Sequence, residues 1–571
     1  MATVDLVIRG GTIADGTGQP LFQEDIAIDG GKIIAVGKVD ATGREEQDAR
    51  GLLVTPGFVD VHTHYDAQLT WAERLDPSSG HGVTTVVTGN CGMGFAPCRP
   101  QDRGSLLKLM EGVEDIPEAV MSAGLPWDWE SFGEFLASVE ARPHDIDYAV
   151  HLPHSPLRVY VMGDRALNHE AATAEDRARM RELACAAMKS GATGFSTSRS
   201  LFHQATDGSN APTLRADEAE LREIALGLAD AGRGVLQAIA MDGTYRTEEF
   251  EILHRVAAAS GRPLSYTLLE MPTAQSLWQD VIRTVDRDTA AGADIRMQVF
   301  NRPVGVILGL EASFHPFVAH PYYVAELAPL PLAQRVAQMR QPQVRGILLD
   351  PAGALHHPMS KTATNFANMF PMGEVAEYEP DPATSVAALA QQRGLSPFEV
   401  AYDLLLEQEG RAMLLVTTSN FTEGNLDNTL EIMRHERAVV ALGDGGAHYG
   451  LICDASYPTF MLTHWTRDRK RGERLELVEA VRMLSDAPAR LQRFHDRGRI
   501  APGMKADINV IDMDRLTLAS PQVVYDLPAG GRRLTQTAQG YVVTYVAGVA
   551  IRREGQPTGA LPGRLVRDAG C

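Results

Sequence analysis

Across roughly residues 57–446 short apolar runs alternate with longer amphipathic stretches, and no other feature constrains the fold as strongly. The apolar runs read GFVDVHTH, VTTVVTGN, YAVHL, TGFSTS, GVLQAIAM, RPLSYTLL, DIRMQVF, MLLVTTS and AVVALGDGG. Runs of this length are strand-sized, whereas EDRARMRELACAAMKSG and PFEVAYDLLLEQEG carry the longer period of helices. Strand–helix alternation sustained over several hundred residues predicts a parallel sheet covered by helices, and its leading closed form is a (β/α)8 TIM barrel.

The two ends of the chain read differently. LVIRGGTIADG…EDIAIDGGKIIAVG and ADINVIDMD…GYVVTYVAGVAIRREG alternate with period two between glycine turns, the mark of short antiparallel strands. Two such ends around a barrel predict one small β-sandwich built from both termini. The expected boundaries are 1–55 and 500–571 for the sandwich and 56–499 for the barrel. Two stretches exceed a minimal barrel, near 98–145 and near 302–390, and both are expected as insertions on the face where barrels carry functional loops.

Charge narrows the partners. A net charge of −20 argues against a cleft for nucleic acid. No run of 18 apolar residues occurs, so no membrane span is expected, and the opening MATVDLVIRGG reads as a strand and not as a signal peptide. Five scattered cysteines form neither a disulfide framework nor a zinc-knuckle spacing, which suits a cytoplasmic location. A small-molecule partner is expected, and self-association into a homo-oligomer stays open.

The chemistry concentrates at strand ends. Side chains at i and i+2 share a strand face, so His62 and His64 at the end of GFVDVHTH project together into the barrel mouth as a two-point clamp for a divalent metal. A random H-x-H among 17 histidines is common, and the context carries the weight: a preceding P-G-F-V-D, a following Tyr-Asp and an upstream β segment. Cys91, in VTTVVTGNCG, ends the next strand and beside a dication becomes a thiolate; otherwise it is a small buried hydrophobe. Asp444 ends the last strand in ALGDGG, where it reaches a metal and its water, or else serves as a turn residue. His448, four residues on, is a candidate for substrate contact or loop packing. The aromatic-rich WDWESF and HPFVAHPYYVAEL read as packing of the insertions, Cys453 as core, and RDRKRGER as a solvated loop.

These pieces together resemble the amidohydrolase superfamily and, within it, the N-acyl-D-amino-acid deacylase (D-aminoacylase) branch. The likeness lies in LVIRGGTIADGTG, PGFVDVHTHYD, HGVTTVVTGNCG, GATGFSTS, ALGDGGAH and RIAPGMKADINVID. The resemblance implies a metal-bearing barrel with a small β-sandwich and zinc as the usual metal. It makes His62 and His64 ligands, Cys91 a metal-bridging thiolate, and Asp444 both ligand and general acid/base. The implied reaction is metal-assisted hydrolysis of the amide of an N-acyl-D-amino acid, for whose carboxylate Arg199 and Arg302 are candidate clamps, each with a surface or loop salt bridge as its plain reading.

The chain departs from the branch at its fifth and sixth strands. GVLQAIAM and RPLSYTLLE lack the expected histidines; Gln237 and Tyr266 or Thr267 stand near those places, and the lysine that usually follows is missing. Three accounts follow: one metal, zinc or another divalent ion, held by His62, His64 and Asp444 with or without Cys91; a second site completed by His154, His203, His320, His356 or His357; or no metal chemistry. The rival functions are an amidohydrolase for another C–N bond, such as an N-substituted formamide or a cyclic amide, and a non-catalytic homologue.

Overall fold

The computed structural model describes residues 3–241, 247–350 and 360–567. Eight parallel strands run in sequential order: Phe58–Asp60, Val83–Thr88, Asp147–Pro153, Gly194–Ser200, Val235–Met241, Leu264–Thr267, Ile295–Val299 and Ala438–Val440. Helices follow most of them, for example Ala174–Ser190, whose start is fixed by a capping box between Thr173 and Asp176. The strands are buried on both faces, as parallel strands under a helical layer must be. The His64 N–H donates to Gly445 O at 2.8 Å and the Asp444 N–H to His62 O at 3.1 Å. These two bonds join the tip of the first strand to the tip of the eighth and shut the ring.

Both termini build one further sheet. Strands Thr3–Ile13, Phe22–Asp29, Lys32–Gly37, Thr42–Asp48 and Leu53–Pro56 share it with Ile508–Ile511, Tyr541–Val546, Val549–Arg553 and Gln556–Pro557. The link between halves is the antiparallel pairing of Leu53–Pro56 with Ile508–Ile511.

One expected barrel strand lies elsewhere. MLLVTTS contributes Leu414–Ser419, which pairs antiparallel with Val304–Leu308 and Met369–Pro371 in a separate three-stranded sheet between the seventh and eighth barrel strands. Its apolar run arises from double-sided burial there, which a barrel strand shares. The long connection between the second and third strands carries helix α1 (Arg103–Glu114). The backbone of Gln204–Thr206 packs directly on this helix: a Cβ at Gly112 would sit 2.3 Å from Gln204 O.

Candidate metal centre

The first-strand tip is held from below and from the side by the two acids that flank it. Asp60 Oδ1 accepts the His62 N–H at 3.1 Å, fixing the backbone that aims both imidazoles. Asp66 Oδ2 accepts from Thr88 Oγ1 and from the Gly89 N–H, tying this loop to the end of the second strand. Gly89 has φ +79, and a Cβ there would meet His151 O at 2.4 Å, so the turn before Cys91 requires glycine. Cys91 itself adopts φ 54, a left-handed conformation that its surroundings must enforce. Its N–H donates to Gln237 Oε1 at 2.9 Å. Asp444 and His448 are likewise left-handed, at φ 47 and φ 51.

Four donor atoms converge. Cys91 Sγ lies 3.2 Å from His62 Nε2. Asp444 Oδ1 lies 3.5 Å from His62 Nε2 and 3.6 Å from His64 Nε2. Ligand atoms of His62, His64 and Cys91 all fall within 4.8 Å of one another. Zinc bonds of about 2.0–2.3 Å at tetrahedral angles need donors roughly 3.3–3.6 Å apart, so the set fits this metal. Asp444 Oδ1 is buried without a hydrogen-bond partner, an orphan that a cation satisfies. His62 and His64 are 2% exposed and Cys91 5%, whereas the Asp444 side chain is 20% exposed and faces the open side.

The electrostatics agree with the geometry. Burial works against a charge on His62, but the Cys91 sulfur and Asp444 push its pKa up to about 9. His64 is raised well above its ordinary value against the same burial, by the Glu114 charge and by the Asp444 and Cys91 groups that face it. Burial would raise Cys91, yet the facing imidazoles bring the thiol below its usual value. Asp444, also opposed by burial, is drawn down to about 2 by His64 and His62. Anionic donors facing two imidazoles make a set that suits a dication, because metal and proton compete for the same nitrogens.

The remaining expected residues fall in other places. Gln237 points inward, but its carbonyl oxygen is taken by Cys91. Tyr266 points outward: its hydroxyl lies 3.0 Å from His254 Nε2, between barrel and helices, so it is not at the centre. Thr267 is buried with Oγ1 unpartnered. Arg199 and Arg302, expected as carboxylate clamps, are both held internally. Arg199 pairs with Glu249 and the Ala216 carbonyl. Arg302, fully buried, binds Asp454 at 2.7 Å and stacks on Tyr378 at 3.9 Å. His448 Nε2 lies 3.6 Å from Glu114 Oε2.

Of the histidines considered for a second site, His154 is bound by Glu220 and Thr197, away from the cluster. His320 accepts the Tyr322 N–H within the late insertion. His203 lies nearer the centre: burial and the neighbouring His448 and His64 charges bring its pKa down to about 3. His356 and His357 lie outside the described residues.

Three participants escape sequence reasoning. Gln298 Oε1 lies 2.6 Å from His62 Nδ1 and its amide nitrogen donates to Ser265. A glutamine in the middle of an apolar strand, DIRMQVF, was the signal for it. Gln237 as the anchor of Cys91 needed the fold. So did Glu114, which reaches the centre from α1, with Oε1 at 3.4 Å from His64 Nδ1.

Comparison with known proteins follows the same line. The profile of the amidohydrolase family matches residues 45–552. A D-aminoacylase of Alcaligenes xylosoxydans xylosoxydans is 39% identical over 194 residues, which is 34% of this chain but only 37% of that relative. An N-acyl-D-glutamate deacylase of the same organism is 27% identical over 573 residues, 99% of this chain and 96% of its own. Among solved structures, the N-acyl-D-glutamate deacylase of Bordetella bronchiseptica, complexed with zinc and a phosphonate inhibitor, superposes with TM-score 0.65 at 22% identity, over 99% of this chain and 100% of its own.

Proposed function

This chain belongs to the amidohydrolase family, and from that premise we propose that it is a zinc-dependent hydrolase that cleaves the amide bond of N-acyl amino acids, in the D series. The observation that carries the reading is the convergence of His62 Nε2, His64 Nε2, Cys91 Sγ and Asp444 Oδ1. The named relatives, a D-aminoacylase and an N-acyl-D-glutamate deacylase, supply the substrate class. Zinc as the metal is supported by the thiolate and imidazole donors and by the zinc-bound deacylase of the same fold.

His62, His64 and Cys91 would hold the ion, with the partly exposed Asp444 beside them. Bound there, zinc would supply Lewis acidity toward a scissile carbonyl and a water near neutral pH. Asp444 is ionised at neutral pH, takes the proton of the attacking water and returns it to the leaving nitrogen. Gln237 keeps Cys91 in its left-handed turn, and Gln298 fixes the ring of His62. One ion is proposed, because Gln237 is committed to Cys91 and Tyr266 to His254. Free cysteines at 91, 98, 185 and 453 suit a reducing cytoplasm. Among the described residues no helix is long and apolar enough to cross a membrane.

One observation favours a second reading, a substrate amide without a carboxylate, such as an N-substituted formamide or a cyclic amide. Both arginines expected to clamp a carboxylate are engaged within the protein. The test is metal content by mass spectrometry on wild type, His62→Ala and Cys91→Ala, followed by a panel of N-acyl-D-, N-acyl-L- and carboxylate-free amides. About one equivalent of zinc, lost in both variants, with turnover of N-acyl-D-amino acids is the expected result. Turnover confined to carboxylate-free amides selects the second reading, and a metal-free wild type that zinc does not activate sinks both.

A further inference from the structure

Glu114 is the last residue of α1 and belongs to the connection between the second and third barrel strands. Its side chain is 1% exposed. Oε1 lies 3.4 Å from His64 Nδ1, and Oε2 lies 3.6 Å from His448 Nε2. Its carbonyl oxygen also accepts the His448 N–H. Glu114 Oε2 and His64 Nδ1 are both buried without a hydrogen-bond partner. Among the described residues no arginine or lysine pairs with this carboxylate; its ion-pair partners are the two imidazoles.

A buried carboxylate is stable only against positive charge. Here the Nδ1 edge of the His64 ring faces it, and the ring's other edge, Nε2, faces Asp444 Oδ1. One imidazole thus has a carboxylate at each nitrogen. A carboxylate on Nδ1 keeps that nitrogen protonated, leaves the Nε2 lone pair free for a cation and makes it a stronger donor. The partner of His62 Nδ1 is different in kind, the neutral amide of Gln298. The separations of 3.4 and 3.6 Å are slightly long for hydrogen bonds, as is usual before a site closes on its ligand.

We propose that Glu114 is a positioning residue of the zinc centre: it orients His64 for metal binding through Nδ1 and, through its second oxygen and its carbonyl, holds His448 and the loop that carries Asp444. The insertion bearing α1 is then part of the metal site and not merely a decoration of the barrel. This inference rests on the zinc reading above.

The test measures zinc affinity by chelator competition at fixed pH, together with the melting temperature of the metal-free protein, for wild type, Glu114→Gln and Glu114→Ala. A lost partner behind a ligating histidine weakens metal binding by about 10–100-fold. The expected order of affinity is wild type, then Glu114→Gln, which keeps an acceptor oxygen, then Glu114→Ala, with the metal-free Glu114→Gln protein melting as wild type does. Should Glu114→Ala not fold, Glu114→Gln decides alone. Affinity within twofold of wild type in Glu114→Gln overturns the proposal, as does an affinity loss matched by an equal loss of metal-free stability. A wild type that binds no zinc overturns the zinc reading and this one together, whereas zinc on wild type and unchanged variants overturn this one only.

Discussion

Gln237 stands where the resemblance leads one to expect an imidazole, and it uses its amide to hold another residue's backbone. Removing it in Gln237→Ala leaves the buried Cys91 N–H without a partner, a loss of about 1–3 kcal/mol. The expected outcome is a lower melting temperature together with weaker zinc binding, read by thermal denaturation and chelator competition; unchanged zinc affinity would show that Cys91 keeps its turn unaided. Asp444→Asn keeps the shape of the side chain but cannot take a proton. Its kcat is expected to fall by about 10²–10⁴-fold, measured at saturating substrate. A strand tip announces itself in sequence, because an apolar run that ends in polar residues fixes both position and direction; His62, His64, Cys91 and Asp444 were legible for this reason. Glu114 was not. An acid at the end of an amphipathic helix reads as solvated until the packing of that helix is known.

At the scale of elements, α1 earns its place through contacts on two sides. Its C-terminal neighbour Asp115 accepts the Gly450 N–H at 2.9 Å and so pins the loop beyond Asp444. On its other side Gly112 admits the backbone of Gln204–Thr206. A Cβ in Gly112→Ala has no flexible side chain to displace, only main chain, and overpacking of this kind costs about 1–3 kcal/mol. We expect faster proteolytic cleavage within residues 201–211 and a lower melting temperature; cleavage at the wild-type rate would mean that the loop is held elsewhere. The same scale explains the misplaced strand. MLLVTTS is buried on both faces of an antiparallel sheet, and its side-chain pattern is that of a parallel barrel strand, so periodicity alone cannot separate them.

Over the whole molecule, buried ion pairs join parts that are remote in sequence. Asp147, at the start of the third barrel strand, binds Arg497 at 2.7 Å and Lys505 at 2.6 Å, the latter leading into the strand Ile508–Ile511 of the terminal sheet. Breaking such a pair from one side costs about 3–5 kcal/mol, so Asp147→Ala is expected to lower the urea midpoint by that equivalent. Glu379, in the late insertion, is held by Arg469 at 3.0 Å and His464 at 2.8 Å. Against its burial these partners lower its pKa from 4.5 to about 2. A carboxylate depressed on folding stabilises fully above its unfolded value; that contribution fades as pH falls from 4.5 toward 2. The acid limb of stability against pH should therefore be shallower in Glu379→Gln, measured by urea midpoints across that range; identical limbs would assign the acid sensitivity to other carboxylates. The barrel seam carries a last consequence. The bonds that close the ring, His64 N–H to Gly445 O and Asp444 N–H to His62 O, are made by the backbones of three of the four converging donors. A chain stalled with its ring ajar has no working centre, so catalysis reports on completion of folding, and an incomplete copy is silent by construction.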